Sequence, residues 1–219
     1  MIKAVVTGDI IDSTKLSEEE NNTLIQGLKY IIDKLEENQT IRGEIFRGDS
    51  LQCLINKPSQ ALKIALLIKT YVKGIVSMNK LKQKNELDKL INKPIFDIRI
   101  AIGIGEVNSE KEKLSISQGE AFNFSGRLLD EMKNKQTIAI KTNDQYKEEL
   151  DTSFKLLDFI LSNATQNQCE VIYYKLNGLT EVEISEKIGI NQSAINQRSN
   201  SSGWGAIHSL INRFESIYE

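Results

Sequence analysis

The order in which apolar periodicities follow one another is what most restricts the fold open to this chain. Residues 2–10 read as a buried strand, and Ser17 with Glu20 makes a capping box that opens a helix running to about Glu37. On that helix Leu24, Ile25, Leu28, Ile31, Ile32 and Leu35 recur at helical spacing, one apolar face to lay on a sheet. Residues 41–47 and 50–56 then read as two strands joined at Gly48-Asp49, a tight hairpin. Pro58 starts the next element, Ala61 to Val76 is helical and apolar, and Phe96 to Val107 is another strand. A helix over 119–133, a short strand over 136–141 and mostly helix over 144–161 follow, while Lys80 to Lys93 is a Lys-rich surface excursion. This order predicts an α+β, ferredoxin-like (split βαβ) domain, a mostly antiparallel sheet with helices on one face. In that topology the end of the first strand and the turn of the central hairpin emerge at the same edge.

Near Ser162 the texture changes, which divides the chain into 1–161 and an all-α domain, 162–219. Thr165 caps a helix to Asn177, Thr180 caps Glu181 to Ile188, Asn191 opens a third helix, and Gly203 to Ile217 is the last. Ile184, Gly189, Ile190, Ala194 and Ile195 have helix-turn-helix grammar: two helices packed across a glycine turn. Gln192, Ser193, Asn196, Gln197 and Arg198 then project outward, and amide and guanidinium groups are what base edges and phosphates require. Acidic side chains outnumber basic ones over this stretch, so the electrostatic footprint of a DNA binder is absent. DNA reading and a role in dimerisation or protein docking both stay open.

A formal charge of −2 demands no polyanionic partner. Cys53 and Cys169 lack metal-ligand spacing and read as reduced core thiols, and the single histidine, His208, excludes a histidine-built zinc site. No apolar run has the length of a membrane span, and the N-terminus enters a strand with no leader pattern, so a cytoplasmic protein with no membrane partner is expected.

The chemistry concentrates in two short acidic turns. Gly8-Asp9-Ile10 and Gly48-Asp49-Ser50 each place an aspartate at the end of an apolar strand. If those strands lie side by side, the carboxylates form a pair able to hold Mg²⁺ against a nucleoside triphosphate. Asn123 and Arg127 stand one helical turn apart on one face, an amide and a guanidinium suited to phosphoryl-transfer chemistry or its remains. Taken singly, Gly-Asp is ordinary turn chemistry, and Asp9 can simply cap the following segment. Asp12, Ser13 and Thr14 read either as phosphate contacts or as a strand stop and helix start, Arg99 as a mid-strand partner for Glu44 or Glu106, and Gly103-Ile104-Gly105 as close packing.

Four segments in order, Gly8–Thr14, Gly48–Ser50, Ile98–Val107 and Gly119–Leu128, resemble the class III nucleotidyl cyclase catalytic domain. With its helical tail, the whole chain resembles the SatD family, in which such a domain is joined to a DNA-binding-type helix-turn-helix. The resemblance implies that Asp9, Asp49 and the main-chain carbonyl of Ile10 bind Mg²⁺ or Mn²⁺. It implies too that Asn123 and Arg127 steady ribose and phosphates, and that the site forms between two subunits of a homodimer. Ile45 and Ile116 stand where purine-reading cyclases carry a lysine and an aspartate, so the usual contacts to the base are missing. The implied function is a DNA-binding regulator whose cyclase-like domain binds metal and nucleotide. The alternative is an active Mg-dependent nucleotidyl cyclase or nucleotidyltransferase of altered base specificity.

Overall fold

The computed structural model describes residues 1–37, 41–46, 48–76, 96–132 and 136–219. Arg47 and the Lys-rich stretch from Lys80 to Lys93 lie outside them. In chain order the main elements are β1 (Ile2–Ile10), α1 (Glu18–Glu37), β2 (Ile41–Phe46), β3 (Ser50–Ile55), α2 (Ala61–Thr70) and β4 (Ile98–Ser109). After them come β5 (Gln118–Gly119), α3 (Glu120–Glu131), β6 (Ile138–Lys141) and α4 (Lys147–Asn163). The chain closes with α5 (Gln166–Leu176), α6 (Glu181–Ile188), α7 (Gln192–Ser201) and α8 (Trp204–Tyr218).

β1 is the centre of a mixed, largely antiparallel sheet ordered β2-β3-β1-β4, with β6 added parallel to β4. Its two neighbours are fixed by register: Ala4 lies opposite Ile55 and Ile104, and Asp9 opposite Ser50 and Arg99. Side-chain alternation then sorts the two faces. Ala4, Val6 and Ile10 enter the main apolar cluster with Leu24, Leu28, Ile31 and Ile32 of α1 and Ile64 and Ile68 of α2. Val5 belongs to a smaller cluster with Leu54, Ala121 and Phe122, so the opposite face is covered by α3.

The apolar helix expected over 61–76 does not stay α-helical to its end. From Tyr71 to Val76 it widens into a π-helix. Here Gly74 packs against the α5 backbone, so close that a Cβ would lie 2.5 Å from the amide nitrogen of Glu170. Lys69 and Lys73 both turn inward. Lys69, with a 1% exposed side chain, pairs with Asp97 at 2.7 Å and donates to the Ile98 carbonyl at 2.8 Å. Lys73 reaches the same carboxylate at 3.5 Å and donates to the carbonyl of Leu161 at 2.8 Å. Wide helical turns of this kind accommodate a local mismatch in packing, and Lys73 within them shares the half-buried Asp97 with Lys69 from the regular helix just before.

α5, α6 and α7 pack around Val171, Ile184 and Ile195. Gly189 takes the left-handed conformation at the end of α6, with φ of 78°. The α6 N-terminus is held reciprocally: the Glu183 amide donates to the Thr180 hydroxyl at 3.3 Å, and the Thr180 amide donates to the Glu183 carboxylate at 2.7 Å. That bond holds the Glu183 carboxyl below its ordinary value. Thr180→Ala is expected to cost about 1 kcal/mol, a fall in melting temperature of roughly 2–4 °C for a chain this long, read by calorimetry. α4 gives way to α5 where the change of texture was placed, yet Leu157, Leu161, Ile172, Leu176, Ile207 and Phe214 all share the main cluster with the sheet.

Both cysteines are buried. Burial pushes the Cys169 thiol up to about 11, and burial, with Glu36 nearby, raises Cys53 further still. A thiol reacts as its thiolate, so neither is expected to react with an aromatic disulfide reagent at pH 8 until denaturant is added. Stoichiometric labelling of the folded protein within minutes would contradict this burial.

Candidate functional site

Asp9 sits on the face of β1 that looks toward α3, the same face as Thr7, whose hydroxyl donates to Ser125 of α3 at 2.8 Å. One carboxylate oxygen of Asp9 accepts from the Ser50 hydroxyl at 3.1 Å, and the other pairs with the Arg99 guanidinium at 2.7 Å. Asp49 arrives from the hairpin, where Gly48 has φ of 82°, a conformation that favours glycine. Its carbonyl accepts from the Ile10 amide at 3.1 Å, and its carboxylate accepts from Ser13 at 2.7 Å, with Ser50 at 3.4 Å. The structure therefore gathers the two carboxylates around one serine hydroxyl. Since that hydroxyl has a single proton, it satisfies one of the two acids at a time.

Arg99 was not singled out for this place. Sequence reasoning offered Glu44 or Glu106 as its partner, and neither is: register sets it directly across from Asp9. Glu44 instead accepts from the amides of Leu114 at 2.7 Å and Ser115 at 3.3 Å. Arg99 neutralises one of the two acids and keeps a buried Nε with no hydrogen-bond partner. No signal within Arg99's own segment could have found this pairing, because it depends on which strand flanks β1.

Among the described residues, no cluster of three or more metal-ligating side chains exists. Two carboxylates with serine hydroxyls beside them are an all-oxygen donor set, which suits a hard cation that takes its remaining ligands from phosphate and water. Asp9 and Asp49 fit such an ion. The Arg99 charge limits how much positive charge they can additionally hold.

Asn123 and Arg127 are exposed on one face of α3. They line an open cavity of about 700 Å³ together with Glu106, Glu120, Phe124 and Lys141. Lys141, also missed in the sequence, lies 5.7 Å from the Phe124 ring centre and adds a second cation to this wall. Neither Asp9 nor Asp49 lines the cavity. Asp9 stands opposite Arg99 near the start of β4, whereas the cavity borders Glu106, opposite Ile2. The seven-residue offset is roughly 23 Å along a strand.

The remaining site candidates are distributed. Ile10 is buried in the main cluster. Ile45 packs against that same cluster, on the face of the sheet away from Asp9. Ile116 is 60% exposed on a short 3-10 turn, Leu114–Ile116. On α7, Gln192, Ser193, Asn196 and Gln197 are exposed and Arg198 is half-buried. Asn196 donates to Glu181 at 3.2 Å, and Glu181 is also paired with Lys175 at 3.0 Å.

No protein-family model matches this sequence, and no curated protein does. Solved structures of nucleotidyl cyclases are similar to it. The adenylyl cyclase CyaB from P. aeruginosa is 18% identical with a TM-score of 0.47, over 67% of this chain and 80% of that one. The non-canonical dimeric guanylyl cyclase domain of the RhoGC fusion protein from the aquatic fungus Blastocladiella emersonii is 16% identical with a TM-score of 0.45, over 69% and 84%. A class III adenylyl cyclase-like ATP-binding protein from Pseudomonas aeruginosa is 13% identical with a TM-score of 0.40, over 81% of this chain and 43% of that one. All three scores fall below 0.5 and all three identities below 25%.

Proposed function

We propose that this chain is a nucleoside-triphosphate-binding module that completes its site as a homodimer and couples it to a helical DNA-contacting tail. The single observation carrying the proposal is the meeting of Asp9 and Asp49 at the Ser50 hydroxyl. Two neighbouring carboxylates repel, and among the described residues Arg99 pairs with only one of them, Asp9, which leaves negative charge at Asp49 for a further cation to answer. Magnesium or manganese, when bound, supplies positive charge that neutralises a triphosphate. Asp9 and Asp49 would hold it, with the Ile10 carbonyl alongside, and Arg99 would balance the remaining charge. Asn123, Arg127 and Lys141 offer an amide and two cations to ribose and phosphate oxygens. Because the acids and this clamp occupy different places in one chain, the reading calls for acids from one copy and clamp from the other. The frame is the split βαβ, ferredoxin-like one, with 162–219 as the module attached to it.

The C-terminal module is read as a helix-turn-helix that contacts DNA through Gln192, Ser193, Asn196, Gln197 and Arg198 of α7. Exposure of the first, second, third and fourth of these supports it. A second reading, catalysis of cyclisation or nucleotidyl transfer with an unusual base preference, is favoured by one feature: the amide and guanidinium pair is kept where a purely structural module has no need of it.

The test is equilibrium binding of each of the four triphosphates with Mn²⁺ or Mg²⁺, followed by chromatography for products. At least one triphosphate is expected to bind, and Asp49→Ala to weaken it about tenfold or more, as losing a hydrogen-bonded charge does. Sedimentation should show a dimer. Failure of all four to bind with either metal would end the nucleotide reading, and binding without product would end the enzymatic one. DNA contact is checked by genomic fragment selection across a salt series.

A further inference from the structure

A second cavity, of about 410 Å³ and not lined by either aspartate, lies where α1 and α2 meet the end of α5 and α8. Its floor is aliphatic: Ile31, Leu35, Ile64, Leu67 and Leu176, each buried. Its described charged lining is Lys34, Lys63 and Glu215, two cations against one anion. The spacing explains the convergence. Ile31, Lys34 and Leu35 fall three and four residues apart, as do Gln60, Lys63, Ile64 and Leu67, so each helix turns one stripe of mixed apolar and cationic character into the same space.

The helix ends sharpen the preference for negative charge. Gln60, Lys63 and Ile64 belong to the start of α2, the positive end of a helix dipole. At the opposing end of α5 the carbonyls of Tyr173, Tyr174 and Lys175 are already satisfied. Gly178 donates to Lys175 at 2.9 Å, Leu179 to Tyr174 at 3.1 Å, and the Asn177 side chain to Tyr173 at 2.8 Å. Lys34 is steered by Tyr173, lying 5.8 Å from its ring centre and donating to its hydroxyl at 3.4 Å. Lys63 is exposed and makes no ion pair or hydrogen bond among the described residues. Size, mostly apolar lining and a few placed polar groups are the marks of a small-molecule site, for which roughly 300–1,000 Å³ is usual.

We propose that this cavity is a binding site for an amphipathic organic anion, with an aliphatic or aromatic body on the five-residue floor and a carboxylate-type head between Lys34 and Lys63. A bare inorganic anion leaves the floor wet, and a neutral hydrocarbon brings no counter-charge to Lys63. Because its walls come from both sides of residue 162, an occupant clamps α1 and α2 to α5 and α8.

The test is calorimetric titration of the full chain with decanoate, decanol and decylammonium below their aggregation concentrations. Decanoate is expected to bind once per chain and at least tenfold more tightly than either of the others. Lys63→Glu, a change at an exposed position, should weaken decanoate at least tenfold. Leu67→Trp, which fills the floor, should abolish its binding. Equal affinity for decylammonium, decanoate binding unchanged in Lys63→Glu, or no decanoate binding at all would overturn the proposal. Triphosphate binding is measured in the same samples, so loss of one site and loss of the other are told apart.

Discussion

Gly103→Ala is expected to destabilise the protein by about 3 kcal/mol or more and to abolish whatever binds at Asn123 and Arg127. A Cβ at Gly103 would sit 2.2 Å from the Ala121 carbonyl oxygen, 2.6 Å from the Ser125 nitrogen and 3.0 Å from Cβ of Phe124. Two of these are backbone atoms of α3, so no rotamer change relieves the overlap. The helix has to lift from β4, and lifting it breaks the bond between Thr7 and Ser125 that seats it beside β1. Asn123 and Arg127 ride on the same helix and move with it. For a chain this long the loss corresponds to roughly 6–12 °C in melting temperature. Gly105→Ala is the internal control. The three atoms nearest its Cβ all belong to the Glu120 side chain. A terminal oxygen at 2.6 Å can swing away, and Cγ and Cβ at 2.9 Å ask for a shift of a few tenths of an ångström, a milder clash than backbone at 2.2 Å. Chemical denaturation of both variants decides the matter. Equal stabilities would mean that α3 does not sit as closely on the sheet as described.

Asp97→Ala should be as damaging for a different reason. Its carboxylate is the acid shared by Lys69 and Lys73. Removing it leaves two buried ammonium groups whose hydrogen bonds among the described residues then go to the main-chain carbonyls of Ile98, Leu161 and Ser162. Removing one member of a buried charge cluster costs about 3–5 kcal/mol, because the charge left behind stays desolvated. A second change, Lys69→Met, should recover part of that loss when added to Asp97→Ala, although it is harmful alone. Such a sign change in a double-mutant cycle is diagnostic of charge rather than packing. A cost below about 1 kcal/mol for Asp97→Ala, measured by urea titration, would show that the lysines reach water after all.

Much of the fold was written in periodicity. β1, the hairpin of β2 and β3, and the apolar stripe of α1 follow from local spacing alone, and the register of β1 with β3 then brings Asp9 to Ser50 beside Asp49. The Asp9–Arg99 pair could not be read the same way, since it rests on β4 lying at the other edge of β1 after a separation of ninety residues. Lys141 escaped notice for the same reason: it meets Phe124 only because β6 runs parallel to β4. The break in α2 was hidden as well. Nothing in Tyr71–Val76 forbids a regular helix, and the wider turns answer to Gly74 lying on the backbone of α5. Ile45 shows the limit of matching one position at a time, for strand alternation, not its neighbours in sequence, decides which side of the sheet receives it.

The lysine that reaches back from the π-turn to the carbonyl groups of Leu161 and Ser162 has a wider implication. It fastens the last turn of α4 to the interior, at the point where a modular tail would ordinarily hang by a slack tether. Whatever the final helices contact is thus geared to the sheet instead of trailing from it. Transplanting them onto another protein would require carrying along Lys73, Gly74 and the aliphatic side of α2 as their mounting.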